Sequence, residues 1–272
     1  APFEFFPDLT NDMLEPHLDW MQPRFLDPKS KKLVFAIQSY LVRTNRHTIL
    51  IDSCIGEDKE RTRFPNWNLR TNTDYLTKLA TVGIAPESVD YVLCTHLHAD
   101  HVGWNTRLIN GNWVPTFPNA RYVFARSEHD FWREKFTKDP RKYDDGCYQD
   151  SVLPIIESGQ ATLVDSDHAL DDQVWLEPSP GHTPGHVSIR VRSGNSDAVF
   201  SGDLMHNILQ CVYPDLVSRA CFDKPLARQT RHEFLDRLCD TEIRVMTAHF
   251  PSPSCGHIRR NRDSYRFSYC SQ

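Results

Sequence analysis

One short stretch, Cys-Thr-His-Leu-His-Ala-Asp-His-Val-Gly at positions 94–103, constrains this chain more than any other. Residues 89–94, which lead into it, are mostly apolar, β-branched or aromatic, and this pattern predicts a buried strand. Successive side chains of a strand point to opposite faces, so the three histidines can turn to one point only in a loop beyond the strand. We therefore predict a metal-binding loop at the exit of a strand, with four candidate ligands: His96, His98, Asp100 and His101.

Further candidate ligands follow three other predicted strands. Positions 181–186 read Gly-His-Thr-Pro-Gly-His, Asp203 follows the apolar residues 198–200, and His249 follows residues 243–246. Neutral imidazole suits zinc, iron, nickel or copper, and a carboxylate adds a charged oxygen that can bind or bridge ions. The chain thus carries enough ligands for two metal ions.

In this order, the four motifs resemble the metal signature of the metallo-β-lactamase superfamily, from about residue 52 to residue 251. The resemblance implies a four-layer αβ/βα sandwich, and the alternation of predicted strands with helices also argues for an α/β fold. It implies two sets of ligands and a bridge: His96, His98 and His182 for one ion, Asp100, His101 and His249 for the other, and Asp203 between them. Asp52 would be an outer residue that steadies the metal loop, because ligand histidines need partners that set their tautomer.

A site of this kind predicts two divalent metal ions and a hydrolytic reaction. We expect zinc, although His/Asp sites also accept manganese, iron and cobalt. Two ions roughly 3.5–4 Å apart can hold a bridging hydroxide at neutral pH and polarise an electrophilic oxygen. Asp203 would bridge the ions and Asp100 would orient the proton of the hydroxide, so that no protein nucleophile is needed.

The position three residues after Asp203 separates two branches of the superfamily. N-acyl-homoserine lactonases carry a tyrosine there that bonds the substrate carbonyl, whereas this chain carries His206, as in the methyl parathion hydrolase-like branch. We predict that His206 stabilises the developing oxyanion or protonates the leaving group. The preferred reaction is the opening of lactones or the cleavage of related carboxylic esters. The alternatives are phosphotriester or aryl-ester hydrolysis, then thioester hydrolysis or a single-iron persulfide dioxygenase.

Aromatic residues near these motifs are candidate substrate contacts. Trp104 follows the metal loop, and Phe64 and Trp67 lie in the polar loop 57–70. All three would suit an apolar acyl chain or leaving group. Phe64 and Trp67 could equally pack against the rest of the protein and hold the loop 57–70 in place.

We predict one metallo-hydrolase domain over residues 1–272, with residues 1–30 as an N-terminal surface segment that could contribute to the mouth of the pocket or to a subunit contact in a homodimer. The expected partner is a small ester or lactone, because a net charge of -5 and the lack of a basic run argue against nucleic acid. No stretch has the length that spans a membrane. The eight cysteines are scattered without a Cys-x-x-Cys motif, which predicts mostly reduced thiols and a cytoplasmic protein. The N-terminus does not resemble a signal peptide, although a removed one would leave no trace.

Local patterns also predict helices and strands around the motifs. Helices are expected at 72–82, 127–136 and 223–238, where apolar residues recur at helical spacing or a capping residue starts the run. Strands are expected at 33–42, 46–51, 121–125, 161–164, 174–176, 187–191 and 198–200. Residues 137–150 are expected to form an insertion that covers the site.

Overall fold

The computed structural model describes residues 1–270 and divides into two compact units. The continuous unit comprises Ile37–Ser166, and the split unit comprises Ala1–Ala36 together with the chain from Asp167 onward. Each unit contains its own sheet and its own buried core. No helix among residues 1–270 is both long enough and apolar enough to cross a membrane.

The continuous unit is built on a five-stranded sheet in the order β1-β2-β3-β6-β7. Strands β2, β3, β6 and β7 run parallel, and β1 pairs antiparallel with β2. A hairpin of β4 and β5 is inserted between β3 and β6. The strands are β1 Tyr40–Arg43, β2 Thr48–Ile51, β3 Tyr91–Leu93, β4 Thr106–Ile109, β5 Asn112–Pro115, β6 Arg121–Ala125 and β7 Ala161–Val164.

Parallel strands need crossover connections, which here contain helices. The helices are Tyr75–Thr81, Ala99–Val102, Arg126–Lys138 and Leu153–Glu157, with short 3-10 turns at Pro86–Ser88 and Gly103–Asn105 and a π-helical turn at Tyr148–Val152. Apolar side chains on both faces of the sheet are buried. Leu50, Val92 and Tyr122 lie on one face, and Ile51, Leu93 and Val123 lie on the other. Because the carboxyl ends of parallel strands share one edge, Asp52 after β2 and residues 94–105 after β3 lie at the same edge.

Direct backbone contacts hold the metal loop against residues 52–56. The N–H of Ser53 donates to the carbonyl of His101 (2.6 Å), and the N–H of Gly103 donates to the carbonyl of Cys54 (2.7 Å). A Cβ atom at Gly103 would lie 2.0 Å from the carbonyl carbon of Ile55. Glycine is therefore required at position 103 for the two loops to approach so closely.

The split unit is built on a six-stranded sheet in the order β13-β12-β11-β10-β9-β8, in which only the β10–β11 pair is parallel. Helix Lys224–Leu238 forms the crossover between β10 and β11. The Asp223 carboxylate accepts the N–H of Leu226 and caps this helix, as the sequence predicted. The strands are β8 Val174–Pro178, β9 Val187–Ser193, β10 Ser196–Phe200, β11 Arg244–Met246, β12 Cys255–Asn261 and β13 Ser264–Tyr269.

Residues 1–30, which we expected on the surface, supply part of the core of the split unit. Their helices are Pro2–Phe5, Asn11–Leu14 and Leu18–Met21, with a 3-10 turn at Glu15–His17. Helices this short show no apolar period, so the pattern did not reveal which side chains are buried. The six that join the core are Phe6, Leu9, Leu14, Met21, Phe25 and Leu26. The remaining helices of this unit are the 3-10 turn Gly202–Leu204 and Leu209–Val212.

Candidate metal centre

In the split unit, three imidazoles surround the carboxylate of Asp203. The Nε2 atoms of His182 and His206 each lie 3.2 Å from Asp203 Oδ2. Nε2 of His249 lies 2.8 Å from Asp203 Oδ1. All four residues are buried, and each follows a strand: β8 for His182, β10 for Asp203 and His206, and β11 for His249. The sheet therefore brings these separate motifs to one buried cluster.

Two outer contacts orient the ligands in this cluster. Nδ1 of His249 lies 2.8 Å from the carbonyl oxygen of Ala36, so Nδ1 carries the proton and Nε2 carries the lone pair. Nε2 of His186 accepts the backbone N–H of Asp203 (3.0 Å), while its Nδ1 lies 2.8 Å from the hydroxyl of Ser179. His186 thus has a structural role, because it supports the backbone that presents Asp203.

The charge of Asp203 and the burial of the cluster have opposite effects on the histidines. Burial lowers the pKa of His206 to about 3, more than the nearby Asp203 raises it. Burial also lowers the pKa of His182, but the charge and hydrogen bond of Asp203, with a contribution from Cys221, outweigh it and raise that pKa to about 10. Asp203 therefore favours the protonated form of His182, and burial favours the neutral form of His206.

In the continuous unit, the metal loop collects the other four candidate ligands. Nε2 of His96 lies 3.0 Å from Nδ1 of His98. Nε2 of His101 lies 3.8 Å from Oδ2 of Asp100. The rings of His96 and His101 are 4.1 Å apart between centroids. The turn at Ala99–Val102 therefore brings side chains of both sequence parities together, as the sequence predicted.

Asp52 steadies this loop through both carboxylate oxygens. Its Oδ1 accepts the backbone N–H of Thr95 (2.8 Å), and its Oδ2 lies 2.8 Å from Nδ1 of His101. Because Nδ1 of His101 donates to the carboxylate, Nε2 keeps the lone pair that a metal needs. Asp52 is buried and has a positive φ of 56°, a backbone conformation that residues other than glycine rarely adopt. Asp52 thus makes the contacts that its predicted outer role requires, and the role itself stays a prediction.

Sequence reasoning missed a second residue that holds the loop. Glu128, in the first turn of helix Arg126–Lys138, accepts the backbone N–H of Leu97 (3.1 Å) and the indole N–H of Trp132 (2.7 Å). It is only 1% exposed. The only sequence signal is the spacing of Glu128 and Trp132, which lie four residues apart in a predicted helix and therefore on one face.

Both sets of side chains fit divalent metal ions. Two ligands bound at about 2.0–2.1 Å to one tetrahedral ion lie about 3.3 Å apart. The contacts of Asp203 with the three imidazoles, at 2.8–3.2 Å, and the His96–His98 contact at 3.0 Å are close to that separation. Asp203, His206 and His249 also form a group whose ligand atoms all lie within 4.8 Å of one another. The donor types and these distances therefore fit zinc-type ions.

The aromatic residues predicted as substrate contacts have different environments. Trp104 is buried, stacks on Tyr75 (5.4 Å between centroids) and donates its indole N–H to Thr73. Trp104 is a core residue in the structure, and its role as a substrate contact stays a prediction. Phe64 and Trp67 stack on each other at 4.5 Å, and Phe64 is 40% exposed. A substrate role for these two stays a prediction.

Two phenylalanines that sequence reasoning did not select contact the histidine cluster. The ring of Phe5 lies 5.2 Å from that of His206, and the ring of Phe35 lies 6.0 Å from that of His249. The two phenylalanine rings are 4.9 Å apart. The sequence around them has no period or motif that would have indicated this position. They form an apolar wall, Phe5 and Phe35, beside the cluster.

The family model of the Metallo-beta-lactamase superfamily matches residues 33–252. The chain belongs to the metallo-beta-lactamase superfamily. The predicted family and fold class, an α/β sandwich of this superfamily, are both confirmed.

Curated relatives within the superfamily include N-acyl homoserine lactonases. The enzyme of Bacillus cereus is 27% identical over 172 residues, which cover 59% of this chain and 60% of the relative. The enzyme AttM of Rhizobium radiobacter is 30% identical over 133 residues, which cover 44% of this chain and 42% of the relative. The match thus spans about three-fifths or less of the length of these relatives.

Solved structures show the same fold over nearly the whole chain. AidC, a dizinc quorum-quenching lactonase in complex with a product, has a TM-score of 0.79 at 23% identity and covers 99% of this chain and 90% of its own. The hydrolase AbOPH of the beta lactamase superfamily has a TM-score of 0.81 at 24% identity, with coverage of 98% and 89%.

Proposed function

We propose that this protein is a dinuclear metal-dependent hydrolase that opens lactones or cleaves related carboxylic esters. The observation that supports it most is the buried Asp203 carboxylate surrounded by three imidazoles, in a chain whose curated relatives are N-acyl homoserine lactonases. The ligands we assign are His96, His98 and His182 for one ion, Asp100, His101 and His249 for the other, and Asp203 as the bridge. Two zinc ions are the expected cofactors.

When bound, the two ions would supply hydroxide near neutral pH and draw charge from the substrate carbonyl. Asp100 then accepts the proton of the attacking water and holds it at a carboxylate oxygen. The same proton goes to the alkoxide oxygen that leaves when the ring opens. Asp100 lies in the first turn after His98, so the backbone that positions the metal loop also positions this base.

His206 is assigned to the substrate oxygen. It is buried, and burial keeps it neutral, so the ring has one N–H to donate and carries no charge that would repel a cation. Its Nδ1 has no hydrogen-bond partner among the described residues. A buried nitrogen of this kind is stabilised when a ligand supplies the missing partner. A neutral donor aimed at the oxygen where charge develops lowers the barrier to attack.

The wall of Phe5 and Phe35 favours a substrate with an apolar part. Both rings are half-buried and lie against His206 and His249, next to where the carbonyl would sit. Acyl chains and aryl groups gain about 25 cal/mol for each Å² of apolar surface that such a wall covers. The proposed substrate is therefore a lactone or ester with an apolar acyl chain.

A second function, hydrolysis of phosphotriesters or aryl esters, is favoured by one residue. This chain has histidine at position 206, as in the methyl parathion hydrolase-like branch, whereas the lactonases have tyrosine at the matching position. A neutral imidazole can hydrogen-bond a phosphoryl oxygen as well as a carbonyl oxygen.

The test is the initial rate of ring opening on lactones of increasing acyl length, followed by proton release. Asp203→Asn is run beside the parent, with zinc content measured for both. We expect the parent to turn over and the variant to lose both activity and metal, because the amide lacks the bridging charge. Full activity in Asp203→Asn would refute the two-metal assignment. Turnover of aryl phosphotriesters but of no lactone would select the second function.

A further inference from the structure

The last two strands of the chain place two cysteines opposite each other. The register of β12 and β13 pairs Gly256 with Tyr269, and continuing it by one residue pairs Cys255 with Cys270. The backbone N–H of Cys270 donates to the carbonyl of Cys255 (3.0 Å). The two Sγ atoms lie 2.7 Å apart, and both residues are partly exposed free thiols.

This separation is close to that of a covalent bond. A disulfide has an S–S distance of about 2.05 Å, and cross-linked residues usually have Cα atoms about 4.4–6.8 Å apart. Directly opposite residues of an antiparallel pair have Cα atoms about 4.5–5.5 Å apart, which lies in that range. The sheet therefore already holds both cysteines where a disulfide needs them, without movement of the backbone.

The environment of this pair differs from that of the buried cysteines. Burial raises the pKa of Cys94 and Cys147 well above the ordinary value and that of Cys211 to about 12, and thiols buried in this way are inert. Partial burial and the neighbouring thiol of Cys270 also raise the pKa of Cys255 to about 12. Exposure makes the pair reachable by a small reagent, and the high pKa makes the reaction slow at neutral pH and faster as the pH rises.

The pair lies where a cross-link would have structural consequences. β13 is the edge strand of its sheet, and its residues Tyr265 and Phe267 belong to the core of the split unit. Cys255 pairs with Met246 of β11 at the base of the loop that carries His249. A bond from Cys255 to Cys270 would therefore tie the final strand of the chain to the base of that loop and oppose fraying of the edge.

We propose that Cys255 and Cys270 form a reversible disulfide through exchange with a small-molecule disulfide such as glutathione disulfide. One cysteine thiolate attacks a sulfur of the reagent and releases one glutathione thiolate. The second cysteine, as its thiolate, attacks the protein sulfur of this mixed disulfide and releases the second glutathione. Two protein thiols become one disulfide, and the reagent is reduced to two thiols that take up the protons.

The experiment exposes the full-length reduced protein to glutathione disulfide at pH 8.5, followed by intact mass, thiol count and peptide mapping. We expect the loss of two hydrogens and two thiols, with the link mapped to Cys255 and Cys270. Cys239→Ser, which removes a partly exposed thiol elsewhere in the same unit, should behave as the parent. Cys255→Ser and Cys270→Ser should each lose the internal link and instead retain one glutathione on the remaining cysteine.

Thermal unfolding measures the consequence. Closure of a loop of about 15 residues predicts a rise in melting temperature on the order of 5 °C for the oxidised parent, and no rise in either serine variant of the pair. The proposal is overturned if the parent keeps all its thiols, if it stops at a stable glutathione adduct, or if the internal link survives in Cys255→Ser. Equal melting temperatures of oxidised and reduced parent would overturn the stabilising role.

Discussion

Replacing Asp52 with asparagine should weaken metal binding while leaving the chain folded. Asparagine has the same shape, but only one of its two terminal atoms accepts hydrogen bonds. In the parent, Nδ1 of His101 lies 2.8 Å from a carboxylate oxygen of Asp52. If the amide oxygen of the variant still accepts the N–H of Thr95, its NH₂ group takes the place of that carboxylate oxygen and faces Nδ1. The amide and Nδ1 would then both be donors, so His101 must move its proton to Nε2, the nitrogen that a metal needs.

The size of the effect follows from the bond that is lost. A hydrogen bond to a charged group contributes about 1.5–3 kcal/mol, and Asp52 makes this one in a buried setting. Since about 1.4 kcal/mol is a factor of ten in an equilibrium constant, we expect metal affinity to fall about 10–100-fold. The tautomer preference of His101 is the physical cause, because no ligand atom is removed.

Competition with a chromophoric chelator measures this affinity, and metal per chain confirms the stoichiometry. Asp90→Asn is the matched control: Asp90 Oδ2 accepts the backbone N–H of Thr48 (2.8 Å) at an exposed position of the same unit, away from the ligands in the sequence. The control should bind metal as the parent does. If Asp52→Asn binds zinc as tightly as Asp90→Asn, the tautomer argument is refuted.

Three further results are expected. Burial lowers the pKa of Lys59 from 10.5 to about 8, so between these pH values the unfolded chain binds more protons than the folded one. The free energy of unfolding should therefore rise from pH 8 to 10.5 by up to about 3 kcal/mol relative to Lys59→Met. Urea unfolding measures it, and parallel pH profiles of parent and variant would contradict the prediction. Cys221→Ala should lower zinc affinity about tenfold, because it removes the Sγ atom that lies 3.6 Å from Nδ1 of His182. Cys221→Ser should restore most of the affinity. Competition with a chelator measures both variants, and an alanine variant that binds zinc as tightly as the parent would count against the contact. Phe5→Ala should raise KM for long-chain lactones at least tenfold and leave short-chain lactones nearly unchanged; an equal effect on both would show that Phe5 supports the fold instead of the acyl chain.

The sequence predicted local features well where one residue or one short run decides the outcome. The helix from Lys224 to Leu238 was predicted from its Asp223 cap and its apolar stripe, and both are observed. The candidate ligands were selected because each is a metal-binding residue type in the loop that follows an apolar run. Such short-range patterns can be read from the sequence because the residues that produce them are neighbours in the chain.

Features that depend on distant residues were missed or mistaken. The hairpin of β12 and β13 was not predicted. β12 is mostly polar or basic, although β13 alternates Tyr265, Phe267 and Tyr269 with polar residues. The predicted strand at residues 33–42 is regular only from Tyr40 to Arg43. Strand formation depends on a partner strand and on what covers each face, and neither can be read from a single run of residues.

The sequence by itself determined the family, the residue types of the candidate metal centre and their places after strands. Tertiary structure alone decided which residues support them. Glu128 holds the metal loop, and Trp104 fills the core behind it. Phe5 and Phe35 reach the histidine cluster from the far N-terminal part of the chain. Ligand identity is a property of one side chain, whereas burial and hydrogen-bond partners are set by segments that only folding brings together.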